Sequence, residues 1–207
     1  YVIMEKIKNV VFYLGGVLVG LDFDRCTASF RSLGMDAVAE LINPCYPAEM
    51  IGRLEHGDIT FHEACDEMRR LSDTPKVTDD EIARAYGAFL VEKLRQIDRL
   101  RRRGFRTYVL SNNNPASMEY IRRMFTADGK SMDAYFDAVY LSCELRELKP
   151  SEAIFRKMIA ASGMRPEETL FIDDGRKNVD AAQALGVAVY MPAPGEDFGH
   201  LFEEITR

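Results

Sequence analysis

Val10-Val11-Phe12-Tyr13-Leu14-Gly15-Gly16 is a run of β-branched, aromatic and aliphatic residues that stops at two glycines. Such a run reads as a strand of a parallel sheet, covered on both faces and feeding a loop at its carboxyl end. Four further segments repeat the pattern. They are Thr107-Tyr108-Val109-Leu110 before Ser111-Asn112-Asn113-Asn114, Ala138-Val139-Tyr140-Leu141 before Ser142, Leu170-Phe171-Ile172 before Asp173-Asp174, and Val187-Ala188-Val189-Tyr190 before a Pro-rich loop. Helical patterns separate the later strands: Pro115 to Phe125, Ser151 to Ser162 and Asn178 to Leu185, the last two closing at Gly163 and Gly186 in the C-cap position. Alternating strand and helix predict an α/β fold built on a doubly wound parallel sheet.

Residues 22–98 break that rhythm. They carry amphipathic helical spacing, clearest over Ile51 to Leu54, Phe61 to Leu71 and Asp80 to Leu100, with no convincing strand. The expected organisation is therefore an α/β core from residues 1–21 and 99–207, with residues 22–98 inserted after the first strand as a helical cap. A chain of 207 residues is long enough for this.

The composition narrows the class. Charged residues make up 29% and no apolar run is long enough to cross a bilayer, so a membrane partner is not expected. The net charge of −6 offers no broad positive surface for a nucleic-acid backbone. The one basic stretch, Arg99 through Arg106, fits the C-terminal end of a helix, where cations complement the dipole. Cys26, Cys45, Cys65 and Cys143 are scattered without metal-ligand spacing and read as reduced, structural thiols. The segment around Lys6 and Lys8 lacks a signal-peptide pattern, and a cytoplasmic location is the default expectation.

In an open parallel sheet, ligands bind beyond the carboxyl ends of the strands, where the strand order reverses. The polar residues ending the first, second and fourth strands should therefore meet in one crevice. Asp173-Asp174 offers two hard oxygen ligands suited to Mg²⁺. Ser111 and Asn112 offer a hydroxyl, an amide and backbone N–H groups to phosphate oxygens, and Lys149, held before Pro150, offers a compact positive charge. Each element alone has an ordinary reading as a helix cap, a turn or a solvated loop; their order along the chain carries the argument.

Val11-Phe12-Tyr13-Leu14-Gly15-Gly16-Val17-Leu18 resembles the first motif of the haloacid dehalogenase (HAD) superfamily, in the sugar-phosphate phosphatase-like branch with a helical cap after that motif. Val109-Leu110-Ser111-Asn112 resembles the second motif and Leu148-Lys149-Pro150 the third. Phe171-Ile172-Asp173-Asp174 with Asn178-Val179-Asp180-Ala181-Ala182 resembles the fourth. The resemblance implies a Mg²⁺-dependent hydrolase acting on a small phosphorylated metabolite such as a sugar phosphate. It implies further that Asp174 binds Mg²⁺ directly, Asp173 acts through metal-bound water, the Gly15 carbonyl is a metal ligand, Ser111 holds the phosphoryl group and Lys149 neutralises developing charge.

Two positions depart from the pattern. Tyr13 stands where the family places its Asp nucleophile, and a phenol is ionised in only about one molecule in a thousand at pH 7. Loss of a covalent nucleophile costs on the order of 10⁶ in rate, so hydrolysis by this chain is expected to be negligible. Tyr13 reflects a natural loss of activity, an engineered or accidental change, or a phenol nucleophile; a non-catalytic phosphometabolite-binding pseudoenzyme is the alternative reading. Gly15, in turn, occupies the position where many members carry an Asp acid/base. That favours substrates with better leaving groups, such as sugar 1-phosphates or acyl phosphates. A dehalogenase would need the Asp nucleophile but not Asp173, Asp174 and Mg²⁺. Asp22-Phe23-Asp24 is a rival for the first motif that reads better as helix capping. Arg53, Glu55, His56 and His62 in the cap are candidates for substrate contact, and His200 reads as surface.

Overall fold

The computed structural model describes residues 6–20, 23–42, 49–85, 94–125, 130–193 and 196–203. Its five strands are β1 (Asn9–Phe12), β2 (Arg106–Ser111), β3 (Ala138–Leu141), β4 (Thr169–Ile172) and β5 (Ala188–Tyr190). They form one sheet in the order β3-β2-β1-β4-β5, every pair parallel. The chain leaves β1 for β2 and β3 on one side, then crosses to β4 and β5 on the other. The reversal of order therefore lies at β1, whose Phe12 pairs with Val109 on one side and Ile172 on the other.

Side chains alternate across the sheet as the two-residue period requires. Val10 and Phe12 face a cluster with Ile97 and Leu100 of α6 (Leu94–Arg102), Met118, Ile121 and Phe125 of α7 (Pro115–Phe125), and Phe198 and Phe202 beside α11 (His200–Glu203). Val11 and Phe171 face the opposite cluster, with Ile154, Phe155 and Met158 of α9 (Glu152–Ser162) and Ala182 of α10 (Arg176–Ala184). Phe155 and Phe171 meet edge to face at 5.4 Å. Short α8 (Ser142–Leu145) follows β3 directly.

Helices α1 (Phe23–Ser32), α2 (Asp36–Leu41), α3 (Glu49–His56), α4 (Phe61–Ser72) and α5 (Asp79–Ala85) enclose a third cluster that contains no strand residue. Phe30, Met35, Leu54, Met68 and Ile82 are fully buried in it, with Cys26 and Cys65. Start signals are explicit in α4: Thr60 and Glu63 form a reciprocal capping box, and Asp73 ends the helix in the left-handed region at φ 51°. Among the described residues no helix is long and apolar enough to cross a membrane.

Several expected boundaries move. β1 ends at Phe12 rather than Leu14, because the Leu14 carbonyl accepts the N–H groups of Val17, Leu18 and Val19 and so closes a turn. The long helix expected over Asp80 to Leu100 is α5 and α6; residues 86–93 between them lie outside the described residues, as does Cys45. α10 starts two residues early at Arg176 and its C-cap is Leu185, with Gly186 one residue beyond at φ 83°. Asp24 lies in the first turn of α1, as the capping reading expects, and Asp22 is outside the described residues.

Candidate active site

Three strand ends supply the crevice. Tyr13 follows β1 and its N–H still donates to the Ile172 carbonyl at 2.9 Å, which holds it beside the end of β4. Ser111 is the last residue of β2 and is fully buried. Asp173 follows β4, also fully buried, with one carboxylate oxygen accepting from the Gly175 N–H at 2.8 Å and from Asn178 at 2.9 Å. Its other oxygen pairs with Lys149 Nζ; side-chain exposure is 1% for Lys149 and 0% for Asp173. A charge buried this deeply persists only because its partner is in place.

The same ammonium lies 3.5 Å from the centroid of the Tyr13 ring and 5.5 Å from that of Phe171. A cation over an aromatic face is attracted by the ring quadrupole, so the Tyr13 ring is a favourable neighbour for Lys149. Burial lowers the Lys149 pKa from its ordinary value, while Asp173, Asp174 and Glu55 hold it up. Burial, then the negative charges of Glu55, Asp173 and Asp174, push the Tyr13 phenol far above its ordinary value. The phenol is thus neutral at physiological pH, and the surroundings work against its use as a nucleophile.

Asp174 sits at the mouth. Gly16 has φ 76°, and a Cβ there would lie 2.1 Å from Asp174 Oδ2, so glycine lets the carboxylate rest against the β1 turn. Partial burial, then neighbouring Asp173, raises the Asp174 pKa, against the opposing effect of Lys149. Two adjacent carboxylates at a strand end favour a cation that would relieve their repulsion. Among the described residues no three His, Cys, Asp or Glu side chains cluster as an all-protein metal cage. Asp174, exposed at the end of β4 beside the Gly16 turn, is a hard oxygen donor of the kind that a hydrated divalent cation takes.

The Asn112 side chain reaches the backbone of Lys149. Its amide donates to the Lys149 carbonyl at 3.0 Å and accepts from the Lys149 N–H at 2.8 Å, a two-point clasp that positions Lys149. The structure thus links Tyr13, Asn112, Lys149 and Asp173 by contact, with Asp174 against the Gly16 turn, while Ser111 and Gly15 lie at the carboxyl ends of β2 and β1 on the same rim of the sheet. His56 is drawn to Asp58 at 2.9 Å and His62 to Asp79 at 2.7 Å, so both imidazoles serve the helical layer. Arg53 pairs with Glu67 at 3.0 Å, and His200 is exposed beside Tyr190.

Ser142 was not singled out from the sequence. Its hydroxyl accepts from the Asn113 N–H at 3.0 Å and donates to the Glu55 carbonyl, tying the loop after β2 to the end of α3. The only signal was its place at the end of β3, where a single Ser is ordinary turn chemistry.

Residues 91–186 match the model of the haloacid dehalogenase-like hydrolases. A D-ribitol-5-phosphate phosphatase of Bacteroides thetaiotaomicron is 33% identical over 196 residues, covering 93% of this chain and 95% of that protein. A HAD family enzyme of the same organism, solved with magnesium and inorganic phosphate, aligns with a TM-score of 0.87 at 33% identity, over 95% of this chain and 99% of the other. A HAD-like family hydrolase of Porphyromonas gingivalis aligns with a TM-score of 0.86 at 35% identity, over 98% and 99%. With its strand order, its rim of polar strand ends and relatives matched along nearly their whole length, the chain belongs to the haloacid dehalogenase-like hydrolase family.

Proposed function

We propose that this chain is the frame of a Mg²⁺-dependent phosphatase for a small phosphorylated metabolite of the sugar- or polyol-phosphate class, with turnover impaired by Tyr13. The observation that carries the reading is the buried Lys149–Asp173 pair lying against the Tyr13 ring, with Asp174 at its side. In this reading residues 1–21 and 99–207 are the catalytic core and residues 22–98 the cap that covers the substrate. Asp174 and the Gly15 carbonyl would hold Mg²⁺, with Asp173 beside them, and the ion when bound would supply positive charge to phosphoryl oxygens. Ser111 and Lys149 grip the phosphoryl group. The relative crystallised with magnesium and inorganic phosphate supports the metal and ligand class, and an aspartate-to-alanine form of it was crystallised with the same pair.

Tyr13→Asp tests the reading. With Mg²⁺ and 4-nitrophenyl phosphate, turnover should rise by on the order of 10⁶ over the unmodified chain. A variant that stays inert would remove the impaired-enzyme reading. The pseudoenzyme reading is favoured by the Lys149 ammonium over the Tyr13 face, a contact that gives the phenol a settled place. It expects Mg²⁺-dependent phosphate binding in calorimetry and no turnover after the substitution.

A related phosphatase of D-ribitol 5-phosphate acts on a primary alkyl ester, whose alkoxide is a poor leaving group. Should this chain share that class, the preference for better leaving groups expected from Gly15 does not hold, and the proton must come from elsewhere.

A further inference from the structure

We propose that Glu55, carried on the last turn of α3, is the acid that protonates the leaving oxygen of the substrate, the task that Gly15 cannot perform. The inference rests on the phosphatase reading above. Its ground is how tightly the end of α3 is fastened to the core rim. Ser142 bridges the Asn113 N–H and the Glu55 carbonyl. Arg146 donates to the Gly57 carbonyl at 2.8 Å and pairs with Asp58 at 3.0 Å. Gly57 has φ 83°, and a Cβ on it would come within 2.5 Å of the Cys143 carbonyl. The turn after α3 and the first turn of α8 thus meet backbone to backbone, an approach that only glycine permits.

That docking brings Glu55 to the crevice. Its charge acts on Lys149, which follows α8, on Tyr13 after β1, and on Cys143 after β3. Asp173 and Asp174 act on the same Tyr13 and Lys149, and Glu144 on Cys143; His56 pairs with Asp58, Arg146 with Asp58, and Arg53 of α3 with Glu67 of α4. Burial raises the Glu55 carboxyl to about 7, with Lys149 opposing the rise. A carboxyl half protonated near neutrality serves first as acid and then as base.

The balanced step is written for the chain carrying Tyr13→Asp. The introduced carboxylate oxygen bonds to phosphorus while the bond from phosphorus to the ester oxygen breaks. The departing oxygen keeps the electron pair, takes the proton of Glu55 and leaves as an alcohol. Water then bonds to the phosphorus of the acyl phosphate and passes a proton to the Glu55 carboxylate, while the bond from phosphorus to the Asp oxygen breaks; that oxygen keeps the electron pair, the carboxylate is restored and inorganic phosphate departs.

The test compares Tyr13→Asp with Tyr13→Asp/Glu55→Gln on an alkyl phosphate and on 4-nitrophenyl phosphate, whose leaving group needs little protonation. The alkyl ester should lose about 10²- to 10⁴-fold in kcat/KM, which reports the first step alone, and the aryl ester less than about tenfold, and the alkaline limb of the alkyl kcat/KM profile should vanish. Equal losses on both esters overturn the proposal alone, whereas a Tyr13→Asp chain inert to both overturns the phosphatase reading and this proposal together. Independently of turnover, a carbon-13 NMR titration of the unmodified chain should find the Glu55 carboxyl at about 7. A midpoint in the ordinary carboxylate range overturns the proposal.

Discussion

The carboxyl ends of β1 and β4 lie side by side, joined by the Tyr13 N–H on the Ile172 carbonyl, yet they are furnished in opposite ways. At β4, Asp173 meets Gly175, Asn178 and Lys149, three partners that fix both of its oxygens. At β1 stands the Tyr13 phenol, and its surroundings disfavour its ionised form. The contrast is between a carboxylate bound into the fold through both of its oxygens and a ring held by its face against the Lys149 ammonium. The first cannot change without cost to stability. A ring fits at position 13 because its face attracts the Lys149 ammonium, 3.5 Å from the ring centroid.

The largest effect that sharpens this contrast is the gain in turnover expected of Tyr13→Asp: it alters chemistry while leaving the β4 end untouched. Asp173→Asn should do the reverse. It leaves the Lys149 ammonium buried without its counter-charge and should lower the free energy of unfolding by about 3–5 kcal/mol in a urea titration. A loss below about 1 kcal/mol would mean that the pair adds no more than an exposed ion pair does. Gly16→Ala probes the seam between the two ends. Its left-handed backbone costs about 1–2 kcal/mol with a side chain, and the added methyl must displace the Asp174 carboxylate. Thermal unfolding should fall, and Mg²⁺-dependent phosphate binding should weaken with it.

The proton balance gives a further handle. Glu55 holds its proton more tightly in the folded state, at about 7 against an ordinary 4.5. The folded chain therefore binds more protons than the unfolded one between those values. The stabilising contribution is complete below about 4.5 and fades as pH rises through about 7, and Glu55→Gln should flatten that slope in unfolding measured from pH 4.5 to pH 7.5. Away from both strand ends, Thr60→Ala breaks the α4 capping box and should cost about 1 kcal/mol without touching the crevice.

The sheet was legible because all five strands announce themselves. Fully covered strands are apolar runs, and their polar stops mark the rim. Position 13 was misread as strand because its apolar character continues, while the Leu14 carbonyl, by gathering three N–H groups, ends the ladder earlier. The clasp of Asn112 on Lys149 was not legible, because its partner lies 37 residues away and leaves no local trace. The role of Ser142 was hidden for the same reason, its partner being 87 residues distant in α3. Glu55 illustrates the general limit. Amphipathic spacing tells which face of α3 is buried, but the contact of Gly57 with Cys143 decides where that helix ends up, and no periodicity encodes it.

The position of β1 at the middle of the sheet carries a consequence for the order of assembly. It is translated first, but its two neighbours begin at Arg106 and Thr169. Loop-closure entropy must be met before such distant pairings yield any stability. A nascent chain halted before β4 emerges has Tyr13 but neither Asp173 nor Asp174 to set beside it. The crevice is thus among the last features to form, and a truncated translation product exposes one edge of its central strand.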